Sequence, residues 1–221
     1  MNSASSTVTT LGTIGWGLIG LVLASVLRVA VKRSSILPAE TGRLAPPVVL
    51  EAATAVLFSA LAWRIGTEPA LFAYSWLAAA GVLLAAIDWK SHALPSRLVW
   101  PTGFLLVVLF GLAAVLHRDA YPLVRSVAGM LALLIFYGVL YVLRPGGLGG
   151  GDLRLGGVLG LALGWAGWMP ILTGTLLGWL TAALALLVLR FVRGSEASQD
   201  IPIGPFLIIG AFAAVLVSSM T

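Results

Sequence analysis

Two aspartates carry the chemistry this sequence can offer. Asp88 stands in Ala86-Ile87-Asp88-Trp89-Lys90 with Leu94-Pro95 just beyond, and Asp152 in Gly149-Gly150-Gly151-Asp152-Leu153-Arg154-Leu155. Both lie just past the ends of apolar segments. Carboxylates are costly at a membrane boundary, and there they mark functional sites. Brought together, two of them hold one proton between them, because adjacent carboxylates do not both ionise cheaply. The ionised member takes a proton from water as that water attacks a peptide carbonyl, and the protonated member donates to the developing oxyanion. This is aspartyl hydrolysis, and it calls for neither a metal nor an organic cofactor.

Each position also has a structural reading. Asp152 follows Gly146-Gly147-Leu148-Gly149-Gly150-Gly151, and aspartate is a preferred N-cap, here for a helix starting at about 153. The glycines equally let an extended substrate backbone approach the carboxylate. A phosphate cradle is excluded, since no Gly-Lys-Ser/Thr ending follows. Asp88 closes a predicted helix, where the macrodipole disfavours an anion. A bland role there is less attractive, unless Lys90 or Arg97 pairs with it. Glu51 follows Pro46-Pro47, where an acid suits a helix start and could support the site. Asp119, Glu40, Glu68, Glu196 and Asp200 read as loop charges and His92 as interfacial. Trp63, Trp76, Trp89, Trp100, Trp165 and Trp168 read as interface anchors.

The elements that must position the aspartates are membrane spans. Of 221 residues, 60% are hydrophobic and 10% charged, and the mean hydropathy is +1.06. Soluble domains carry roughly 25% charged residues. With spans of about 20 apolar residues, the sequence predicts an all-α, polytopic protein of one transmembrane domain over residues 1–221. Its eight spans fall at about 11–31, 48–65, 70–87, 98–116, 123–143, 153–168, 170–190 and 203–220. The first is too long for a signal-peptide core, so it is expected to be retained. Gly156, Gly160 and Gly164, and Gly174 with Gly178, recur every fourth residue and suit close helix packing. Without cysteine there is no disulfide framework, and two histidines, His92 and His117, are too few for a histidine-rich metal centre.

Charge then orients the chain. Lys32, Arg33, Arg43, Lys90, Arg97, Arg144, Arg154, Arg190 and Arg193, with Arg28 close by, fall on one side; Arg64, Arg118 and Arg125 fall on the other. Basic residues collect in cytoplasmic loops, so the first set is expected in the cytoplasm and both termini outside. The same rule explains the net charge of +5 without nucleic acid. Two spans separate Asp88 from Asp152, and an even number of crossings returns both to the cytoplasmic face.

These segments resemble those of the type IV prepilin peptidases. Asp88 with Leu94-Pro95 is similar to the family's aspartate-then-Leu-Pro segment. Gly149 to Leu155 is similar to its Gly-x-Gly-Asp-x-Lys-Leu loop. Ile201-Pro202-Ile203-Gly204-Pro205-Phe206-Leu207 is similar to its Ile-Pro-Phe-Gly-Pro-Phe stretch before the last span. A weaker match is Glu51 in Val49-Leu50-Glu51-Ala52-Ala53-Thr54, and the first span from Gly17 to Arg28 also looks like the family's start. The resemblance implies a GxGD-type intramembrane aspartic protease in a prokaryotic inner or plasma membrane. Asp88 and Asp152 would be catalytic, with Gly149, Gly151, Arg154, Leu94, Pro95, Glu51, Gly204 and Pro205 in binding or support. The implied substrate is a prepilin or pseudopilin of a pilus or secretion system, with a basic leader, a cleavage site after Gly and then a hydrophobic helix. Arg154 replaces the usual lysine, which keeps charge but not geometry, and Ile203 stands where Phe is common. Many members also carry an insert with two cysteine pairs between the first two spans, linked to zinc and to methylation of the new amino terminus. Here that connection is short and cysteine-free, which puts methylation in doubt. Presenilin-like proteases share the Gly-x-Gly-Asp loop but set the first aspartate in a Tyr-Asp context, which Ile87-Asp88-Trp89 does not match. A proton- or cation-coupled transporter could use the same carboxylates, but it has no need of Leu94-Pro95 or Pro202-Ile203-Gly204-Pro205.

Overall fold

The computed structural model describes residues 3–33, 46–92, 94–143, 148–193 and 202–218. They form eight helices: α1 (Ser3–Arg33), α2 (Pro47–Ile65), α3 (Ala70–Ser91), α4 (Ser96–His117), α5 (Tyr121–Leu143), α6 (Gly150–Ala166), α7 (Trp168–Arg193) and α8 (Gly204–Val217). No strand occurs among the described residues. Six of the helices (α1 to α5 and α7) are long and apolar enough to cross a membrane. The other two are shorter, with 17 residues in α6 and 14 in α8. Both are sheathed by their neighbours, and every residue from Leu155 to Ala166 is buried. A helix surrounded by other helices is not held to the lipid thickness that sets the length of an outer span.

Burial sorts the helices into an inner and an outer set. α3, α6 and α8 are the inner ones, whereas α1, α4, α5 and α7 turn rows of Leu, Val, Ile and Phe outward. That is the expected inversion for a protein whose solvent is hydrocarbon. Small residues let the inner helices approach closely. A Cβ at Gly164 would lie 2.6 Å from the Arg125 carbonyl oxygen and 2.8 Å from Ser126 Cα on α5, and one at Gly160 would meet the Gly129 carbonyl. On α7, Gly178 lies against Leu207 of α8, and Gly174 against Leu163 of α6 and Ala214 of α8. The four-residue glycine spacing is thus a packing device.

Two helices end in left-handed residues that are not glycine, His92 after α3 (φ 49°) and Arg118 after α4 (φ 54°). Such residues are sparsely populated and mildly strained. At His92 the turn keeps one bond, its N–H donating to the Asp88 carbonyl at 2.9 Å. The chain then passes to Pro95, whose extended backbone (φ −68°, ψ 119°) starts α4. Trp63, Trp89, Trp100 and Trp168 are exposed as anchors should be. Trp165 is instead buried and stacks on Phe110 with centroids 4.6 Å apart, because α6 is an inner helix.

Candidate active site

Asp88 lies inside the last turn of α3 rather than beyond it, since the helix continues to Ser91. It is only 4% exposed. The wrong end of a helix dipole should repel a buried carboxylate, and the fold answers with another helix. The N–H of Gly204, the first residue of α8, donates to Asp88 Oδ2 at 3.1 Å. The positive end of α8 thereby offsets the negative end of α3. The fit is close: a Cβ at Gly204 would sit 2.6 Å from Asp88 Oδ2.

Asp152 is not the N-cap of α6. Gly149 takes that position, and Asp152 stands three residues on, in the first turn. Its Oδ2 accepts the Gly149 N–H at 3.2 Å, while the Asp152 N–H donates to the Gly149 carbonyl at 3.0 Å. This is the acidic half of a capping box. The reason for the shift is steric. A Cβ at Gly149 would lie 3.1 Å from Asp152 Oδ2, so glycine at the cap lets the carboxylate fold back. One oxygen is then left over, for Oδ1 is buried without a hydrogen-bond partner among the described residues. An orphaned buried acceptor is rare and asks for an occupant.

The segments around the two acids converge. Leu94 is buried between them: its Cβ would lie 2.6 Å from a Cβ at Gly151, and its Cδ1 3.3 Å from one at Gly204. The end of α3, the start of α4, the first turn of α6 and the start of α8 therefore meet at one end of the bundle. Of the residues expected from sequence, Asp88, Asp152, Gly149, Gly151, Leu94 and Gly204 come together. Pro95, the N-cap of α4, directly follows Leu94, and Pro205 directly follows Gly204 in the first turn of α8. Arg154 Nη1 donates to Ser96 Oγ, tying the first turns of α6 and α4. Ser96 had no signal in the sequence beyond following Pro95.

Glu51 goes elsewhere. Its Oε1 accepts from Arg28 Nη2 at 3.1 Å and from Ser25 Oγ at 2.8 Å, joining α2 to α1. Glu51 is the fifth residue of α2, past the first turn where an acid would complement the helix start, and among the described residues no hydrogen bond connects it to either aspartate. Arg64 and Arg125 are also more than loop charges. Arg64 Nε donates to the Leu216 carbonyl at 2.9 Å and its Nη2 to that of Ser218. Arg125 Nε and Nη2 donate to the carbonyls of Gly164 and Trp165 at 2.7 and 2.6 Å. Ile201, Arg43, Arg144, Gly146, Gly147, Glu40, Glu196 and Asp200 lie outside the described residues. Among the described residues no group of three His, Cys, Asp or Glu could hold a metal ion.

Fold and geometry define a polytopic helical membrane protein with two converging carboxylates at one end of its bundle. The chain belongs to the type IV leader peptidase family, whose pattern matches residues 71–188. That range takes in both aspartates, Leu94-Pro95 and the glycine loop, but not Glu51 or Gly204. Among curated relatives, the prepilin leader peptidase/N-methyltransferase of Pseudomonas aeruginosa is 33% identical over 178 residues. That of Stutzerimonas stutzeri is 34% identical over 179, and that of Aeromonas hydrophila 32% over 176. Each match covers 76% of this chain and 57% of the relative, so the chain spans little more than half the length of these proteins. No solved structure matches. The family assignment does not favour the transport alternative.

Proposed function

We propose that this protein is a membrane-embedded aspartic endopeptidase that removes the leader from type IV prepilins or pseudopilins, with Asp88 and Asp152 as the catalytic pair. The observation that carries this reading is the convergence of two carboxylates 64 positions apart in a chain of this family, one of them with an unspent buried oxygen. Water held by that oxygen and by Asp88 would attack the peptide carbonyl, one carboxylate accepting its proton while the other donates to the oxyanion. Gly150, where a Cβ would meet nothing within 4 Å, leaves room beside Asp152 for an extended peptide. Loop charge supports a cytoplasmic position for this end of the bundle, where a leader would emerge from a hydrophobic helix embedded in the same bilayer. Glu51 is paired with Arg28, so among the described residues the two aspartates are the acids that a basic leader would meet at the site. The relatives' name includes a methyltransferase. The cysteine-free chain lacks the thiolates that the resemblance links to that activity, and the reading assigns cleavage alone.

The test is cleavage of a co-expressed prepilin followed by its mobility on a gel. Wild type should shorten it, whereas Asp88→Ala and Asp152→Ala should leave it whole while accumulating normally in the membrane. Processing retained in either variant refutes the pair.

A further inference from the structure

The two aspartates reach the site on different helices, and neither bonds the other. Their separation must therefore be set by something between them. What lies there is Leu94, a buried residue on the short connection from α3 to α4. Its Cα, Cβ and carbonyl oxygen fall 3.3, 2.6 and 3.1 Å from where a Gly151 side chain would begin, directly beside Asp152. Its Cδ1 approaches the point at Gly204 where Asp88 Oδ2 and Cγ also converge, at 2.6 and 3.3 Å. One leucine thus touches the backbone that carries Asp152 and the backbone that clamps Asp88. Both touching residues are glycine, the only type with no side chain to displace it.

We infer that Leu94 is the spacer that fixes the distance between the Asp88 and Asp152 carboxylates, with the Gly204 N–H clamping Asp88 against it. The inference deepens the peptidase reading and, for its catalytic arm, rests on it. Leu94 is a positioning residue: it acts through the carboxylates, not on the substrate. Pro95 contributes by restricting the backbone of Leu94 to extended conformations, which holds the spacer out from the end of α3. Arg154 and Ser96 pin the same turn of α4 to the first turn of α6, so spacer and carboxylate move as one body.

Two measurements on the full chain separate this claim from the peptidase reading. The first uses the absence of native cysteine. Asp88→Cys with Asp152→Cys gives a unique pair, whose copper-phenanthroline cross-linking in membranes reports their separation without any catalysis. Adding Leu94→Ala removes the side chain beyond Cβ, the part that reaches Gly204, and should raise the cross-linking rate about threefold or more as the turns collapse together; Leu94→Met should not. An unchanged rate overturns the spacer. The second is steady-state cleavage of a synthetic leader peptide by the otherwise wild-type protein. Leu94→Ala should lower kcat by about 10²-fold, as misplacement near 1 Å does, with KM unchanged and Leu94→Met restoring activity. A loss confined to KM would make Leu94 a substrate contact and overturn the inference. Wild-type protein that cleaves nothing would defeat the peptidase reading, and the cross-linking would still decide the spacer.

Discussion

The two ends of this bundle treat polar groups in opposite ways. At the end away from the aspartates, side-chain donors are spent on the fold. Arg125, 8% exposed, donates to two carbonyls at the end of α6, and Arg64 to two at the end of α8. Ser126 Oγ donates to the Leu161 carbonyl and Tyr74 Oη to that of Ala162 at 2.8 Å. Helix ends leave carbonyls unpaired, and in a lipid-embedded bundle each must find a donor inside the protein. The aspartate end does the reverse. Among the described residues Asp88 receives one amide bond, Asp152 one, and Asp152 Oδ1 none. One end completes its hydrogen bonds and anchors the inner helices; the other withholds them where chemistry needs an open acceptor.

The largest effect expected from this contrast is catalytic. Asp152→Asn keeps the shape and an acceptor for the Gly149 amide but cannot exchange the proton. Leader cleavage should fall by about 10⁴-fold or more, the scale at which linked catalytic groups fail, with thermal unfolding in detergent near wild type. The opposite end should answer the other way. Arg125→Met removes the donors from two buried carbonyls and should cost about 3 kcal/mol, read as a lower unfolding midpoint. The protein that remains folded should cleave at the wild-type rate. A stable but inactive Arg125→Met would break the division between an anchoring end and a reacting end.

Both aspartates, the Leu94-Pro95 segment and the four-residue glycine spacing were legible in the sequence because each is local: a charge in an apolar run, a proline, a period. What failed depended on a partner helix. Sequence reasoning stopped the third span at 87 because a charge followed; α3 runs on because α8 supplies an amide that no local pattern announces. It placed the α6 cap at Asp152, where glycine at the true cap lets the acid fold back from one turn inside. It read Glu51 as a helix-start acid that could support the site, whereas Glu51 lies past the first turn of α2 and pairs with Arg28, 23 residues earlier on α1. The cap roles of Arg64 and Arg125 are equally invisible, since 152 residues separate Arg64 from the Leu216 carbonyl it binds.

Packing between α5 and α6 joins the two ends, and it sets the next effect. Gly164→Ala puts a Cβ 2.6 Å from the Arg125 carbonyl oxygen, in backbone that cannot yield cheaply. We expect a loss of about 1–3 kcal/mol, the usual penalty of overpacking. Gly150, whose Cβ would meet nothing within 4 Å, is the control: Gly150→Ala should leave the midpoint unchanged. Equal losses at both would mean that glycine acts through chain flexibility rather than through close approach.

The smallest effect tests whether the aspartate end has any anchor of its own. Arg154 Nη1 bonded to Ser96 Oγ is the tie seen between the first turns of α6 and α4. Ser96→Ala removes the acceptor but leaves Arg154 a partly exposed cation that water can serve, so the loss of stability should be about 1 kcal/mol or less. Its effect on cleavage should be only a few-fold, because Leu94 still fills the gap between Gly151 and Gly204. Arg154→Lys tests the same tie from the other side. A lysine keeps the charge but loses the planar fork, so its activity should match that of Ser96→Ala. The double variant should then be no worse than either single one, since both cut the same bond. Additive losses would show that Arg154 serves a second partner, and the natural candidate is the peptide that the site exists to receive.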